Sequence, residues 1–277
     1  MPRSAVQKQS AAAQEAVLVL RQLDDGILHL TLNQPERRNA LSQAMMSALQ
    51  QALDAAASDR QVRVIAIAGN GPAFCAGHDL KELTEARAAA DRGRSFFKLL
   101  MRQCSKLMLG IVRHPKPVIA EVAGAASAAG CQLVASCDLA VAARSAKFAT
   151  PGVNIGLFCS TPMVALSRKV ARKHAMEMLL TGDMVSAERA AEIGLINRAV
   201  ADNELAGEVD RLARQIASKS LMTLTTGKLA FYEQADMAIA EAYDYTTEIM
   251  IENMLKRDAA EGVNAFLEKR GPRWSDE

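Results

Sequence analysis

Apolar and polar residues alternate near the start of the chain with the period of a β-strand. In residues 27–32 leucines alternate with His29 and Thr31, so this segment forms a strand with one buried face. A second apolar segment, residues 17–20, comes before the turn sequence Asp-Asp-Gly at 24–26. We therefore predict that the two segments form a hairpin.

The following apolar residues recur with the period of a helix. In residues 42–57, Met45 and Leu49 fall on one stripe, and Ser42 is suited to cap the helix N-terminus. A run of apolar, mostly β-branched residues at 62–68 then predicts a buried strand.

Strand and helix patterns continue to alternate as far as about residue 200. Asp79 and Glu82 have the spacing of a capping box, which predicts that a helix begins at Asp79. Pro115 and Pro117 interrupt the chain ahead of the next strand. The other predicted elements here are helices over residues 95–113 and 128–136 and strands over residues 118–122 and 139–143. This alternation indicates the α/β fold class.

After residue 203 every periodic segment is helical. We therefore divide the chain into three parts: a disordered tail over residues 1–16, a core over 17–203 and a C-terminal helical region over 204–277. The first sixteen residues are rich in Ala, Gln and Ser, with two basic residues ahead of the first acid. A transit peptide would have a similar composition, although its arginine content would be higher.

Composition excludes several classes of protein. The 277 residues are 50% hydrophobic and 23% charged, which is ordinary for a globular protein. A net charge of +2 argues against a nucleic-acid partner, and no apolar run is long enough to cross a membrane. The five cysteines include no C-x-x-C pair. Free thiols of this kind indicate a reducing, cytoplasmic location and no metal site, with the mitochondrial matrix left open by the N-terminal composition.

Two segments contain the candidate chemistry. FCAGHDL leads from a strand through Gly77 into the helix at Asp79, so the N–H of His78 lies just before a helix N-terminus. VAGAASAAGCQL has the same order of strand, small residues and helix, with the N–H of Ala129 at the helix start. Two such donors on one oxygen would form an oxyanion hole, and each is worth about 10²–10³ in rate. Small residues also let helices pack on strands, but the presence of both segments favours the functional interpretation.

These segments resemble the crotonase superfamily, which is the enoyl-CoA hydratase/isomerase family. The matching stretches follow the family's order and span nearly all of the chain after residue 17: LTLNQPERRNALS, GNGPAFCAGHDLKEL, HPKPVIAEVAGAASAAGCQLVASCDLAVAA, TGDMVSAERAAEIGLINRAV and EGVNAFLEKR. The GHD loop and ATPGVNIGLFCSTP resemble one branch of the family in particular.

The resemblance implies a crotonase-like spiral of ββα units with a C-terminal helical trimerisation region. It also implies an acyl-CoA thioester as ligand and a homotrimer, with pairing of trimers left open. No separate cofactor is expected, because coenzyme A is part of the substrate.

The resemblance assigns roles residue by residue. His78 and Ala129 take the two oxyanion positions through their N–H groups, although the family has glycine at the second. Arg38 and Ala40 match the coenzyme A pocket, and Ala76 and Leu80 match positions around the adenine. The other expected substrate-binding residues are Gly77, Asp79, Gly130, Gln132 and Gly152, together with Phe266 and Lys269, the pair that reaches coenzyme A, often across a subunit boundary.

The chain departs from the hydratases at both of their glutamates. Gln132 and Gly152 stand at those positions. A neutral amide accepts no proton at useful pH and glycine has no side chain, whereas a positioned acid or base is worth about 10²–10⁴ in rate. We therefore expect weak hydration, with thioester binding and enolate stabilisation retained.

Three functions remain open at this point. The first is an enzyme acting through an enolate, for example in isomerisation or in decarboxylation of a malonyl-type CoA ester, because a histidine at the position of His78 also occurs in crotonase-like decarboxylases. The second is a non-catalytic acyl-CoA binder, and a weak hydratase lies between the two. Cys159 is a candidate acid or nucleophile, although most free cysteines only pack.

Overall fold

The computed structural model describes residues 17–277. The predicted tail over residues 1–16 and its alternative, a transit peptide, lie outside the described residues. Among the residues described, no helix is both long and apolar enough to cross a membrane.

A six-stranded sheet forms the larger of two sheets, in the order β1-β2-β3-β5-β7-β10. Its strands are β1 (Val19–Asp24), β2 (Ile27–Leu32), β3 (Val64–Gly69), β5 (Val118–Val122), β7 (Leu139–Ala143) and β10 (Arg198–Val200). The predicted hairpin is confirmed as the antiparallel pair β1 and β2, and the other neighbours are parallel. β1 begins two residues later and ends four residues later than predicted, because this edge strand exposes all its residues after Val19 and shows no apolar pattern there.

A second sheet has four short strands in the order β4-β6-β8-β9. They are β4 (Ala73–Cys75), β6 (Ala125–Ser127), β8 (Lys147–Ala149) and β9 (Val185–Ser186). Each of the first three directly follows a strand of the large sheet and precedes a helix, which confirms the spiral of ββα units. The sequence pattern missed these strands because two or three residues are too few to show a period.

The helices are α1 (Gln43–Ser58), α2 (Leu80–Ala86), α3 (Arg94–Val112), α4 (Ala129–Ser136), α5 (Pro162–Leu166), α6 (Arg172–Thr181), α7 (Ala187–Glu192), α8 (Leu205–Ala217), α9 (Leu221–Gln234), α10 (Ile239–Met254) and α11 (Arg257–Leu267). Ser42 caps α1 as predicted, because its side chain accepts a hydrogen bond from the Met45 N–H. Asp79 caps α2 through the Lys81 N–H. The reciprocal bond of a capping box is replaced, because Glu82 accepts from the first N–H of α1, that of Gln43, at 3.1 Å.

Two apolar layers enclose the large sheet. On one side, buried residues of α1, α3 and α4 form one cluster with residues of both sheets. On the other side, Val209 and Ala213 of α8 pack on Val64 and Ile119. The last helices contribute little to either layer: α10 has no buried residue, and its Ile239 and Tyr243 are 77% and 70% exposed.

Candidate functional site

The small sheet brings three chain segments to one edge. β4, β6 and β8 are parallel, so their carboxyl ends lie together. The segments that leave those ends are 76–79, which contains His78, then 128–132, which begins α4, and 150–152, which begins a 3-10 helix over Pro151–Ile155. The structure therefore brings the two segments of the predicted donors together with the segment of Gly152, which the resemblance had also assigned to the site.

Gly77 places the first segment against the second. A Cβ at Gly77, whose φ is 91°, would lie 2.9 Å from the Ser127 carbonyl oxygen and 3.3 Å from the Ala129 nitrogen. Neither the His78 N–H nor the Ala129 N–H donates a hydrogen bond to another residue in the range 17–277. Two free donors at adjacent helix starts are thus available to a ligand.

Ala128 adopts a strained conformation directly before the second donor. Its φ and ψ are 49° and −114°, values that favour glycine. Gly130, one residue beyond the donor, leaves no room for a side chain, since a Cβ would lie 2.1 Å from the Cys75 carbonyl oxygen. The start of α4 is therefore pressed against β4, which brings Ala129 close to the segment holding His78.

The predicted coenzyme A segment pairs with the GHD loop. The Ala76 N–H donates to the Arg38 carbonyl at 3.0 Å, and the Leu41 N–H donates to the Gly77 carbonyl at 2.8 Å. Ala40, between these contacts, is buried, whereas Leu80 is 56% exposed. Five of the predicted residues, Arg38, Ala40, Ala76, Gly77 and His78, therefore form one continuous wall.

Asn39 anchors this wall, but its role was not predicted from the sequence. It is fully buried with φ of 53°, which asparagine tolerates better than most residues. Its side-chain nitrogen donates to the carbonyls of Asn70, Ala73 and Phe74, and its side-chain oxygen accepts from the Gln34 N–H. The surrounding sequence RRNALS is itself largely polar, so no local pattern marks Asn39 as a buried residue.

At the two positions where the hydratases have glutamate, this chain has Gln132 and Gly152, and both residues are buried. Gln132 is 5% exposed and lies one helical turn from Ala129, so the two side chains share a face of α4. Gly152 is buried, and a Cβ there would lie 2.6 Å from the Leu157 carbonyl oxygen and 3.0 Å from the Cys159 sulfur. No side chain fits at position 152 without movement of the segment that follows it.

Burial and pairing restrict the ionisable groups at His78, Cys159, Cys75 and Asp79. Burial lowers the pKa of His78, whose Nδ1 lies 3.4 Å from the Leu41 carbonyl and whose enclosed Nε2 has no partner within the described chain. Burial raises the pKa of Cys159, and it raises that of Cys75 to about 12, so both thiols stay protonated at neutral pH. Asp79 lies 3.2 Å from the Arg37 guanidinium.

Phe266 and Lys269 are the predicted residues that do not join this cluster. Both are exposed and lie at the end of α11, which packs against α10. The hydrogen bonds that join the other segments do not involve them. Within residues 17–277 no group of three or more His, Cys, Asp or Glu side chains is arranged to hold a metal ion.

Known proteins share both this sequence and this fold. The family model described as enoyl-CoA hydratase/isomerase matches residues 22–277. Human enoyl-CoA hydratase domain-containing protein 3, mitochondrial, is 50% identical over 257 residues, which cover 93% of this chain and 83% of that protein. The 1,2-epoxyphenylacetyl-CoA isomerase of Escherichia coli is 36% identical over 270 residues, covering 93% and 98%.

Two solved structures have the same TM-score against this chain. An enoyl-CoA hydratase of Mycobacterium smegmatis has a TM-score of 0.88 at 50% identity, covering 93% of this chain and 98% of that one. The human domain-containing protein 3 has a TM-score of 0.88 at 47% identity, covering 93% and 100%. These matches confirm the predicted superfamily, branch and fold. Because the family model spans the wall, both helix starts and the C-terminal helices, the chain belongs to the enoyl-CoA hydratase/isomerase family.

Proposed function

We propose that this protein binds an acyl-CoA thioester and stabilises its enolate between the N–H groups of His78 and Ala129, without acting as an efficient hydratase. The observation that carries the proposal is the close approach at Gly77, where an added Cβ would lie only 3.3 Å from the Ala129 nitrogen, so the loop of one free donor lies against the other. An enolate oxygen at that point would accept two hydrogen bonds from groups that need no rearrangement. This arrangement favours the transition state of any reaction that passes through an enolate.

The neighbouring side chains support the second half of the proposal. Gln132 and Gly152 offer no carboxylate, and the thiol of Cys159 is too weak an acid to give a thiolate at neutral pH. Decarboxylation therefore suits the site better than addition of water, because loss of CO₂ forms the enolate without a base to remove a proton. The mostly neutral surroundings also favour one second candidate, a non-catalytic binder that presents or buffers the thioester.

A panel of thioesters followed by mass spectrometry separates these functions. The native protein should decarboxylate a malonyl-type CoA ester much faster than it hydrates a 2-enoyl CoA ester. Conversion of none, together with tight binding by calorimetry, would leave the non-catalytic binder. Rapid hydration of the 2-enoyl ester would contradict the proposal, because no carboxylate is available to handle water.

We also propose that the chain forms a homotrimer through its C-terminal helices. The exposed apolar side chains on α9 to α11 support this assembly, since Phe231, Leu255 and Phe266 are 60%, 75% and 81% exposed in the single chain. Sedimentation equilibrium should give three times the chain mass of 29.7 kDa, and Leu255→Asp should shift it to one. A native protein that sediments as a monomer at micromolar concentration would refute the assembly.

The mitochondrial names of the vertebrate relatives suggest a location for this chain as well. We propose that the protein is soluble in a reducing compartment, which is the cytoplasm or, in a eukaryotic cell, the mitochondrial matrix. Fusion of residues 1–16 to a fluorescent reporter tests whether that segment directs import.

A further inference from the structure

The last residues of the chain fold back along α11. After α11 ends, Lys269 takes a positive φ of 59°, and the Arg270 N–H donates to the Ala265 carbonyl at 3.0 Å. A left-handed residue at this point reverses the chain direction. The segment that follows, residues 270–277, is called the C-terminal strap below.

The strap is bonded to α11 over two of its turns. The Arg270 guanidinium and the Arg273 N–H both bond to Glu261, at 2.6 and 2.7 Å. The Trp274 ring lies over Gly262, where an added Cβ would be 3.2 Å from the ring, so only glycine leaves full room for it. The strap therefore runs antiparallel to α11 and ends at the first turn of that helix.

A buried carboxylate anchors the end of the strap. Asp258 is 2% exposed, and it accepts hydrogen bonds from the N–H and hydroxyl of Ser275 and from the Asp276 N–H, at 2.7 to 3.0 Å. Charge-assisted hydrogen bonds of this kind are about twice as strong as neutral ones. Asp258 thus fixes the end of the strap to the start of α11.

The strap also connects α11 to the core. Trp274 donates its ring N–H to the Ser218 carbonyl at 2.8 Å, in the link between α8 and α9. Asp276 accepts from the Leu221 N–H at 2.6 Å and pairs with Arg63, just before β3, at 2.8 Å. α11 itself buries only Asp258 and Ala265, so these polar contacts supply much of what fixes its direction.

We propose that the C-terminal strap is a positioning device that holds Lys269 and the end of α11 for the nucleotide half of an acyl-CoA ligand. The inference rests on the proposed binding of an acyl-CoA thioester and on the family resemblance, which implies that Phe266 and Lys269 contact coenzyme A. Its physical basis is that Lys269 forms the reversal between helix and strap. If the strap is released, the left-handed conformation of Lys269 is no longer held from its C-terminal side, and the exposed end of α11 loses its fixed direction.

Trp274→Ala and Asp258→Asn release the strap without touching the candidate site, and Glu252→Gln on exposed α10 is the matched control. Calorimetry should show that both strap variants bind an acyl-CoA about tenfold or more weakly than the native protein. The same acyl group on pantetheine, which lacks the nucleotide, should bind all the proteins equally. An equal loss for both ligands, or no loss for acyl-CoA, would overturn the proposal.

Hydrogen exchange tests the strap independently of any ligand. In Trp274→Ala the amides of residues 263–269 should exchange about tenfold faster than in the native protein, while those of α4 keep their rates. Unchanged exchange at 263–269 would also overturn the proposal. If the native protein binds no acyl-CoA, the proposed function itself is wrong. If the native protein binds acyl-CoA and Lys269→Ala binds it equally tightly, Lys269 is not a coenzyme A contact and the strap proposal alone fails, whatever the exchange rates of the strap variant.

Discussion

Backbone strain at Ala128 is the most unusual feature at the scale of single residues. A non-glycine residue in such a conformation stores about 1–3 kcal/mol, which the surrounding structure must offset. The β6 strand before it and the packed start of α4 after it supply that offset. Ala128 directly precedes Ala129, so the strained φ and ψ angles of Ala128 also set the direction of the Ala129 N–H.

Replacing Ala128 by glycine should relieve this strain. We expect Ala128→Gly to raise the free energy of unfolding by about 1 kcal/mol, because the relief exceeds the backbone entropy that glycine adds to the unfolded chain. Urea titration measures the change. Ala135→Gly, later in the same helix, is the control and should lower stability by about 1 kcal/mol. Equal destabilisation by both substitutions would show that Ala128 is unstrained.

The packing around Gly152 leaves no room for a side chain at this position. We expect Gly152→Ala to lower the free energy of unfolding by about 1–3 kcal/mol, because its methyl group would overlap the Leu157 carbonyl. Gly207→Ala, in open space on α8, should be neutral or stabilising. A neutral Gly152→Ala would mean that the following segment moves freely. Restoring both hydratase glutamates should then yield hydration, which the packed structure otherwise prevents.

Protonation of His78 should oppose folding. Burial holds its pKa below the ordinary value, so the unfolded chain binds the proton more readily than the folded chain does. The stability that depends on neutral His78 is therefore present above about pH 6.5 and falls as the pH drops, by at most about 1.4 kcal/mol per pH unit. Urea titrations near pH 7.5 and 5.5 should show a smaller difference for His78→Gln than for the native protein. An identical difference would place His78 in solvent.

Among the helices and strands, long hydrophobic patterns predicted the observed elements, whereas short patterns did not. The strands over residues 118–122 and 139–143 have the predicted bounds, because each is an apolar run ended by polar or turn residues. The second sheet was not predicted from the sequence, although the candidate site lies at the ends of its strands. Its three-residue strands are fixed by pairing with one another, which no local pattern records.

Asn39 connects two elements that the sequence treats as independent. Removing its side chain leaves three carbonyl groups and one N–H without their partner in a buried setting. We expect Asn39→Ala to lower the free energy of unfolding by about 3 kcal/mol or more. Asn33→Ala, which removes exposed hydrogen bonds, should lower it by less than about 1 kcal/mol. Similar effects of the two substitutions would contradict the anchoring role.

At the scale of the whole molecule, most predicted site residues meet at one sheet edge, and two do not. His78, Ala129, Gln132 and Gly152 converge because parallel strands end together. Family resemblance supplied their roles, but their proximity follows from the topology of the small sheet. Phe266 and Lys269 lie on the outer helices, where the contacts of a single chain leave them exposed.

The proposed function depends on two backbone N–H groups, those of His78 and Ala129, that polarise a thioester carbonyl. Infrared difference spectroscopy of an acyl-CoA carrying ¹³C at that carbonyl measures this polarisation. Bound to the native protein, the carbonyl should absorb at lower frequency than in water. Replacing the Ala129 amide by an ester, with lactic acid at that position, should reverse much of this shift, whereas an ester at position 131 should not. A bound carbonyl at its solution frequency, or a shift that survives the ester at 129, would contradict the account.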